Sequence, residues 1–228
     1  MRLVAPIPVA GPRYWTALCL ASLLGADLGD QVAHDLHLGH WQGVFPLALL
    51  LAATISLHRR SAVATGAFFW ASVVLLRIVA TNIADLLTHD LHWRQAGLIA
   101  VLFVAFASAG ARATPLRTDR RFWTALFLAG TLGTVLGDDA SHLAGLEVAS
   151  ATLALATALG FALTAGADRA TGRLYWPLVL LIRTAGTSIA DALADRSGLG
   201  LDGSSAILAL LFFVSLALKR SGHAHATA

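Results

Sequence analysis

Residues 123–138 read WTALFLAGTLGTVLGD, an apolar run that begins with a tryptophan and ends fifteen residues later with an aspartate. The same frame recurs at residues 15–30, 70–85 and 176–191. Successive copies begin 55, 53 and 53 residues apart. One such match carries no weight, but four in register indicate a tandem repeat in which each unit is one supersecondary structure.

The composition places this repeat in a membrane. Of the 228 residues, 57% are hydrophobic and 13% are charged, whereas a soluble domain carries about 25% charged residues. A helix needs about 20 mainly apolar residues to cross the hydrocarbon of a bilayer, so the chain has room for about eight crossings. The sequence therefore predicts an all-α integral membrane protein that forms a single transmembrane domain over residues 1–228.

Each unit is predicted to supply two helices. A second, plainly apolar run follows every Trp–Asp run and is expected to face lipid, because it carries almost no polar residues; these runs are 44–57, 95–110, 148–165 and 204–218. The units extend approximately over residues 14–67, 68–121, 122–173 and 174–220.

The copies resemble one another in alternate pairs. Leu24–Asp30 and Leu132–Asp138 share the pattern LGxxLGD, whereas Leu75–Asp85 and Leu181–Asp191 share LxRxxxTxIAD. Two helices per unit make the four Trp helices parallel. We therefore expect two related halves in a pseudo-two-fold or pseudo-four-fold arrangement.

Basic residues concentrate on one side of the predicted membrane. Only Arg94 and Arg196 fall in the connections on the other side. The basic side carries Arg2, Arg13, Arg59, Arg60, Arg112, Arg117, Arg120, Arg121, Arg169, Arg173, Lys219 and Arg220. By the positive-inside rule both termini should be cytoplasmic, in a bacterial inner membrane. The four tryptophans would then mark the inner interfacial belt.

The placement of the basic residues also indicates which partners to expect. The basic residues lie in short turns between apolar runs, so the pI of 9.7 indicates membrane topology and argues against nucleic acid. Membrane lipid is the expected partner, and a homo-oligomer is left open.

A polar stripe follows one face of each Trp helix, at positions 8, 11, 12, 15 and 19 after the tryptophan, because steps of three and four residues stay aligned. A carboxylate in the middle of a membrane helix costs about 3 kcal/mol, so these faces should turn inward around a central acidic cavity that opens outward. The candidate cation- or proton-binding residues on these faces are Asp27, Asp30, Thr81, Asn82, Asp85, Thr134, Asp138, Thr187 and Asp191.

Two arginines lie deep in the apolar runs, Arg77 and Arg183, each seven residues after its tryptophan. An unpaired guanidinium at that depth is improbable, and Asp27 and the four repeat aspartates are the nearest acidic residues in depth. One interpretation is a pair of structural ion pairs that lock the two halves together. The other makes both arginines internal counter-charges that compete with a bound cation.

Four i,i+4 pairs could each present two ligands to one metal ion, because residues four apart share a helix face. A mixed carboxylate and imidazole set suits divalent Mn, Fe, Co, Ni or Zn of unspecified identity. The pairs are Asp30/His34, Asp85/His89, Asp138/His142 and Asp191/Asp195. The competing interpretation places the histidines at the outer interface and the aspartates in a buried polar network.

With its Trp-x13-Gly/Ala-Asp units, the sequence resembles a bacterial family of small repeat membrane proteins known only as membrane-anchored proteins of unassigned function. The resemblance covers roughly residues 14–218. It implies the repeat architecture and the Gly/Thr/Asp helix, and it implies no activity. The matching residues are Gly29 with Asp30, Thr81 with Asp85, Thr134 with Asp138, and Thr187 with Asp191.

The leading functional prediction is a transporter for a divalent transition-metal cation of the Mn²⁺, Zn²⁺ or Fe²⁺ type, with coupling to protons left open. Repeats that surround a polar site are the usual layout of transporters. An intramembrane metal-dependent hydrolase and a non-catalytic cation or pH sensor are the alternatives. No catalytic residues are assigned, because the chain contains no nucleophile elbow, Walker loop or HExxH motif, so a transporter is favoured over an enzyme.

Overall fold

The computed structural model describes residues 11–34, 39–60, 65–115, 117–164, 172, 174–196 and 198–218. These residues form eight α-helices and no strand. The helices are α1 (Pro12–His34), α2 (Gly39–Arg60), α3 (Thr65–Asp85), α4 (Gln95–Arg112), α5 (Arg120–Ala144), α6 (Leu146–Thr164), α7 (Tyr175–Arg196) and α8 (Gly200–Ala217). A π-helical turn, Leu86–Asp90, extends α3.

Five stretches of the described chain are long and apolar enough to cross a membrane: Gly66–Asp90, Gln95–Arg112, Leu146–Leu163, Tyr175–Asp195 and Gly200–Ala217. In α2 a shorter apolar segment covers Gln42–His58. The helices α1 and α5 are continuous, but their apolar sequences contain acidic residues and glycines. The chain is therefore compatible with a multi-pass membrane protein.

The odd-numbered helices form a closed ring, in which α1 contacts α3, α3 contacts α5, α5 contacts α7, and α7 contacts α1. Each even-numbered helix packs mainly on the odd helix that follows it, so α2 lies on α3, α4 on α5, and α6 on α7. The last helix, α8, returns to α1.

The outer position of the even helices is visible in their burial. Of the apolar stretch of α3, 72% is buried, whereas only 11% of the corresponding stretch of α6 is buried. The apolar stretches of α4 and α8 are 17% and 22% buried, so α4, α6 and α8 lie on the outside of the bundle.

Small residues let the ring helices approach closely. A Cβ atom built on Gly25 of α1 would lie 2.6 Å from the Cβ of Arg77 on α3, and one on Gly133 of α5 would lie 2.6 Å from the Cβ of Arg183 on α7. The other two ring contacts are equally tight, between Ala80 and Gly130 and between Gly186 and Ser22. In all four contacts, position 10 of one ring helix meets position 7 of the next. Small residues at such contacts let helix backbones approach closely.

The ring is closed at one end by aromatic side chains. Each of the four repeat tryptophans is preceded by a Tyr or Phe, and that residue packs on the tryptophan of the next ring helix at centroid distances of 5.4–5.8 Å. The four contacts are Tyr14–Trp70, Phe69–Trp123, Phe122–Trp176 and Tyr175–Trp15. We call these eight residues the aromatic floor. All eight are buried. The four tryptophans therefore do not face outward as an interfacial belt would, because each packs on an aromatic residue of the neighbouring ring helix inside the bundle.

Gly145 makes the tightest connection, as the single residue between α5 and α6. Its φ of +83° is in the left-handed region, which favours glycine because it has no Cβ. The Gly145 N–H donates to the Ser141 carbonyl at 3.0 Å and so caps α5.

Candidate cation site

A cavity of about 640 Å³ lies on the axis of the ring, at the end opposite the aromatic floor. All four repeat aspartates line it, one from each ring helix: Asp30, Asp85, Asp138 and Asp191. The residues four positions earlier, Ala26, Thr81, Thr134 and Thr187, also line it. Positions 11 and 15 share a helix face, and the four helices run parallel, so each helix presents the same two levels to the axis. We call this space the acidic cavity.

Its electrostatics follow from this arrangement. Four carboxylates from four helices face one space, and Thr81 and Thr134 are buried beside them. Like charges that face a shared cavity repel one another, and more strongly where solvent is scarce. Bound cations or protons would relieve this repulsion, so the cavity is chemically suited to positive charge.

The predicted metal pairs are only partly brought together. His89 and His142 line the acidic cavity, and His89 Nδ1 lies 4.0 Å from Asp85 Oδ1. His89 belongs to the π-helical turn, and its side chain is 62% exposed. Asp195 is exposed and does not reach the cavity, and the side chain of His34 lies outside the described part of the chain.

No group of three His, Cys, Asp or Glu side chains among the described residues is arranged to hold a metal ion directly. The cavity is wide, and its carboxylates approach the axis from four separate helices. A cation that keeps part of its water shell fits this space better than one chelated by Asp and His alone.

Two of the predicted cation-binding residues face neighbouring helices and do not line the acidic cavity. Asp27 is fully buried and accepts a hydrogen bond from Ser204 of α8. Asn82 donates to the Gly29 carbonyl of α1 at 3.1 Å. Both lie at position 12, which in this bundle faces a neighbouring helix. The surface that these helices present to the cavity includes positions 11 and 15 and, at His89 and His142, position 19, but not position 12. Asp27 and Asn82 therefore do not line the acidic cavity, contrary to the prediction.

Arg77 adjoins the acidic cavity, because it donates hydrogen bonds to two of the threonines that line it. Its Nη1 donates to the Gly130 carbonyl and Thr134 Oγ1, both at 2.8 Å. Its Nη2 donates to Thr187 Oγ1 at 2.6 Å and the Arg183 carbonyl at 3.3 Å, and its Nε donates to the Ser22 carbonyl at 3.4 Å. These bonds match the five N–H groups of a guanidinium. They reach α1, α5 and α7, so Arg77 crosses the ring.

Arg183 differs although it too is fully buried. None of its three guanidinium nitrogens has a hydrogen-bond partner within the described chain. Its electrostatic neighbours include Arg77, Tyr14, Tyr175 and Cys19, so it lies on the side of the aromatic floor. Neither Arg77 nor Arg183 forms an ion pair with any carboxylate that the structure describes. The predicted structural ion pairs are therefore not found.

Sequence reasoning missed the closed end of the ring. Tyr14 and Tyr175 share a hydrogen bond of 2.5 Å between their hydroxyls, below Arg183. The signal was present, because an aromatic residue precedes the tryptophan in all four copies, Tyr14, Phe69, Phe122 and Tyr175.

Residues 174–221, which cover α7 and α8, match a family described as Repeat of Unknown Function (DUF347). The match agrees with the resemblance to a family of unassigned function, and it assigns no activity. No curated protein and no solved structure matches the chain.

Proposed function

We propose that the protein is a transporter for a divalent transition-metal cation, of the Mn²⁺, Zn²⁺ or Fe²⁺ type. The observation that carries the proposal is the acidic cavity, in which Asp30, Asp85, Asp138 and Asp191 face one axial space. Ionisable residues at membrane depth are costly, and they mark ion pathways when they face a bundle interior. The cation would enter with part of its water shell and exchange the rest for carboxylate oxygens, with His89 and His142 at the mouth.

The proposal includes the membrane architecture. Four two-helix units would cross a bacterial inner membrane eight times, with the odd helices as the inner ring and the even helices against lipid. The cyclic packing of the ring supports this arrangement. The distribution of basic residues favours cytoplasmic termini, so the aromatic floor would lie on the cytoplasmic side and the cavity would open outward.

Cysteine labelling tests this topology. In a Cys19→Ser background, His142→Cys should react with an impermeant maleimide from outside intact cells, and Arg112→Cys should react only after permeabilisation. The opposite pattern would invert the topology.

The flux experiment uses purified protein in liposomes that contain a metal-sensitive dye. We expect saturable Mn²⁺ entry for the wild-type protein and a loss of about tenfold or more for the Asp85→Asn/Asp138→Asn variant. Asp139→Asn is the matched control, because Asp139 is adjacent to Asp138 but does not line the cavity. Equal flux in all three proteins and in empty liposomes would refute transport.

A cation sensor is the second candidate. It is favoured by one observation: Arg77 and the aromatic floor both close the ring below the cavity. Calorimetry and the flux assay together separate the two, since a sensor would bind Mn²⁺ through the same aspartates without moving it. The hydrolase alternative requires three protein ligands on one metal, a set that the described residues do not supply.

A further inference from the structure

The acceptors around Arg77 form a distinct structure on the axis. They are three backbone carbonyls and two hydroxyls: Ser22 O, Gly130 O, Arg183 O, Thr134 Oγ1 and Thr187 Oγ1. We call this set the oxygen cage. All five oxygens are uncharged, and together they enclose one positive charge.

The oxygen cage adjoins the acidic cavity directly. Thr134 and Thr187 belong to both, since they line the cavity and accept hydrogen bonds from Arg77. A cation that leaves the carboxylates toward the aromatic floor therefore meets these hydroxyls next. The Arg77 guanidinium occupies that position.

Arg183 shows where a guanidinium at this level lies when it is outside the cage. It occupies the same position after its tryptophan as Arg77, and the surrounding pattern LxRxxxTxIAD is identical. Its side chain is accommodated near Tyr14 and Tyr175 with no hydrogen bond to the described residues. The fold therefore tolerates an arginine turned toward the aromatic floor.

We propose that the oxygen cage is a second, inner cation site, which takes a partly hydrated alkali cation and which the Arg77 guanidinium fills at rest. Neutral carbonyl and hydroxyl oxygens are the groups that replace the hydration water of Na⁺ or K⁺ in membrane proteins. Within the cage itself, one monovalent ion would occupy the place of one guanidinium charge. In the wild-type protein the ion would enter only after Arg77 has turned toward the aromatic floor, as Arg183 already is, so the cage does not take up the ion at rest. The inference rests on the proposed function only in that the acidic cavity supplies the route.

The test uses Arg77→Ala and Arg77→Ser, which empty the cage, in detergent without any divalent metal. The midpoint of thermal unfolding is followed as choline is replaced by K⁺ or Na⁺ at constant ionic strength. We expect a rise of about 5 °C or more at saturation for these variants and no specific rise for the wild-type protein. Arg183→Ala is the matched control and should show no rise, because its loss frees none of the five oxygens.

Guanidinium at millimolar concentration probes whether the emptied cage is intact. Stabilisation by guanidinium without stabilisation by K⁺ or Na⁺ would overturn the inference, since the cage would then recognise only a planar donor. No response to any of the three ions would also overturn it, as would variants that aggregate equally in choline and in K⁺. Variants that remain monodisperse only in K⁺ or Na⁺ would support it.

One further variant and one comparison of outcomes complete the test. Adding Thr134→Val and Thr187→Val to Arg77→Ala should abolish the K⁺ effect, because both hydroxyls are lost. A K⁺ effect without Mn²⁺ flux in the wild-type protein would retain the cage and reject the transporter. Flux without a K⁺ effect would reject the cage alone.

Discussion

Arg77 and Arg183 occupy equivalent positions on α3 and α7 and are both fully buried, yet Arg77 donates five hydrogen bonds and Arg183 donates none to the described chain. Their local sequences share one pattern, so the difference arises on other helices. Only one guanidinium can occupy the ring axis. Arg77 occupies it, and Arg183 lies on the side of the aromatic floor.

The first prediction concerns the stability of these two positions. Arg77→Ala should lower the free energy of unfolding by about 3 kcal/mol or more, because five buried acceptors lose a charged donor. Arg183→Met should be neutral or stabilising, since an apolar side chain of similar length replaces a buried charge without hydrogen bonds. Thermal and denaturant unfolding in detergent measure both. Equal destabilisation by the two substitutions would mean that Arg183 has partners of comparable strength.

A second prediction follows from the hydroxyls around the axis. Arg77 uses Thr134 and Thr187, whereas the equivalent positions for Arg183 are Ala26, which has no hydroxyl, and Thr81, whose Oγ1 has no partner among the described residues. The exchange Ala26→Thr/Thr134→Ala should therefore favour Arg183 on the axis. In this background Arg183→Met should become the more destabilising substitution, and Arg77→Met the milder one. If Arg77→Met remains the more destabilising substitution in this background, the hydroxyls do not decide which arginine occupies the axis.

The acidic cavity could be predicted from the sequence because two regularities fix it. Four Trp helices that start on the same side are parallel, and residues four apart share a face, so Asp30, Asp85, Asp138 and Asp191 had to reach one level. The width of the stripe could not be predicted. Whether position 12 faces the axis or a neighbour depends on the rotation of each helix, which the backbone contacts at Gly25 and Gly133 set.

The sequence pattern could not predict the surroundings of the tryptophans and histidines either. A tryptophan at the start of an apolar run is expected at a lipid interface or inside a bundle, and only packing decides between the two; Trp70 and Trp123 pack inside. His89 follows Asp85 by four residues, as His142 follows Asp138. However, a π-helical turn begins after Asp85 and alters the path of the chain there.

The third prediction concerns the glycine seams. A Cβ on Gly137 would lie 2.7 Å from the Thr187 Cβ and 2.9 Å from the Thr184 carbonyl oxygen. Gly137→Ala should therefore destabilise the protein by about 1–3 kcal/mol, because backbone must move. Gly97→Ala is the control: nothing lies within 4 Å of its Cβ position, and alanine favours the helix by up to about 1 kcal/mol. A Gly137→Ala protein as stable as Gly97→Ala would mean that α5 and α7 are less closely packed than described.

The last prediction separates two aspartates that lie three residues apart on α1. Asp27 contacts Ser204 of α8, whereas Asp30 lines the acidic cavity. Asp30→Asn should reduce Mn²⁺ flux about tenfold, because it removes one carboxylate from the axis. Asp27→Asn should leave the flux at the wild-type level, since its carboxylate faces away from the path.

Asp27 should instead matter for stability. Asp27→Ala leaves the buried Ser204 hydroxyl without its carboxylate acceptor, and we expect a loss of about 1–3 kcal/mol in the free energy of unfolding. Asp27→Asn keeps an acceptor oxygen at the same place, so its loss should be smaller than that of Asp27→Ala. Flux and unfolding measured on the same preparations test both parts. A drop in flux for Asp27→Asn equal to that for Asp30→Asn would return Asp27 to the cation path and contradict the assignment of position 12 to the helix contacts.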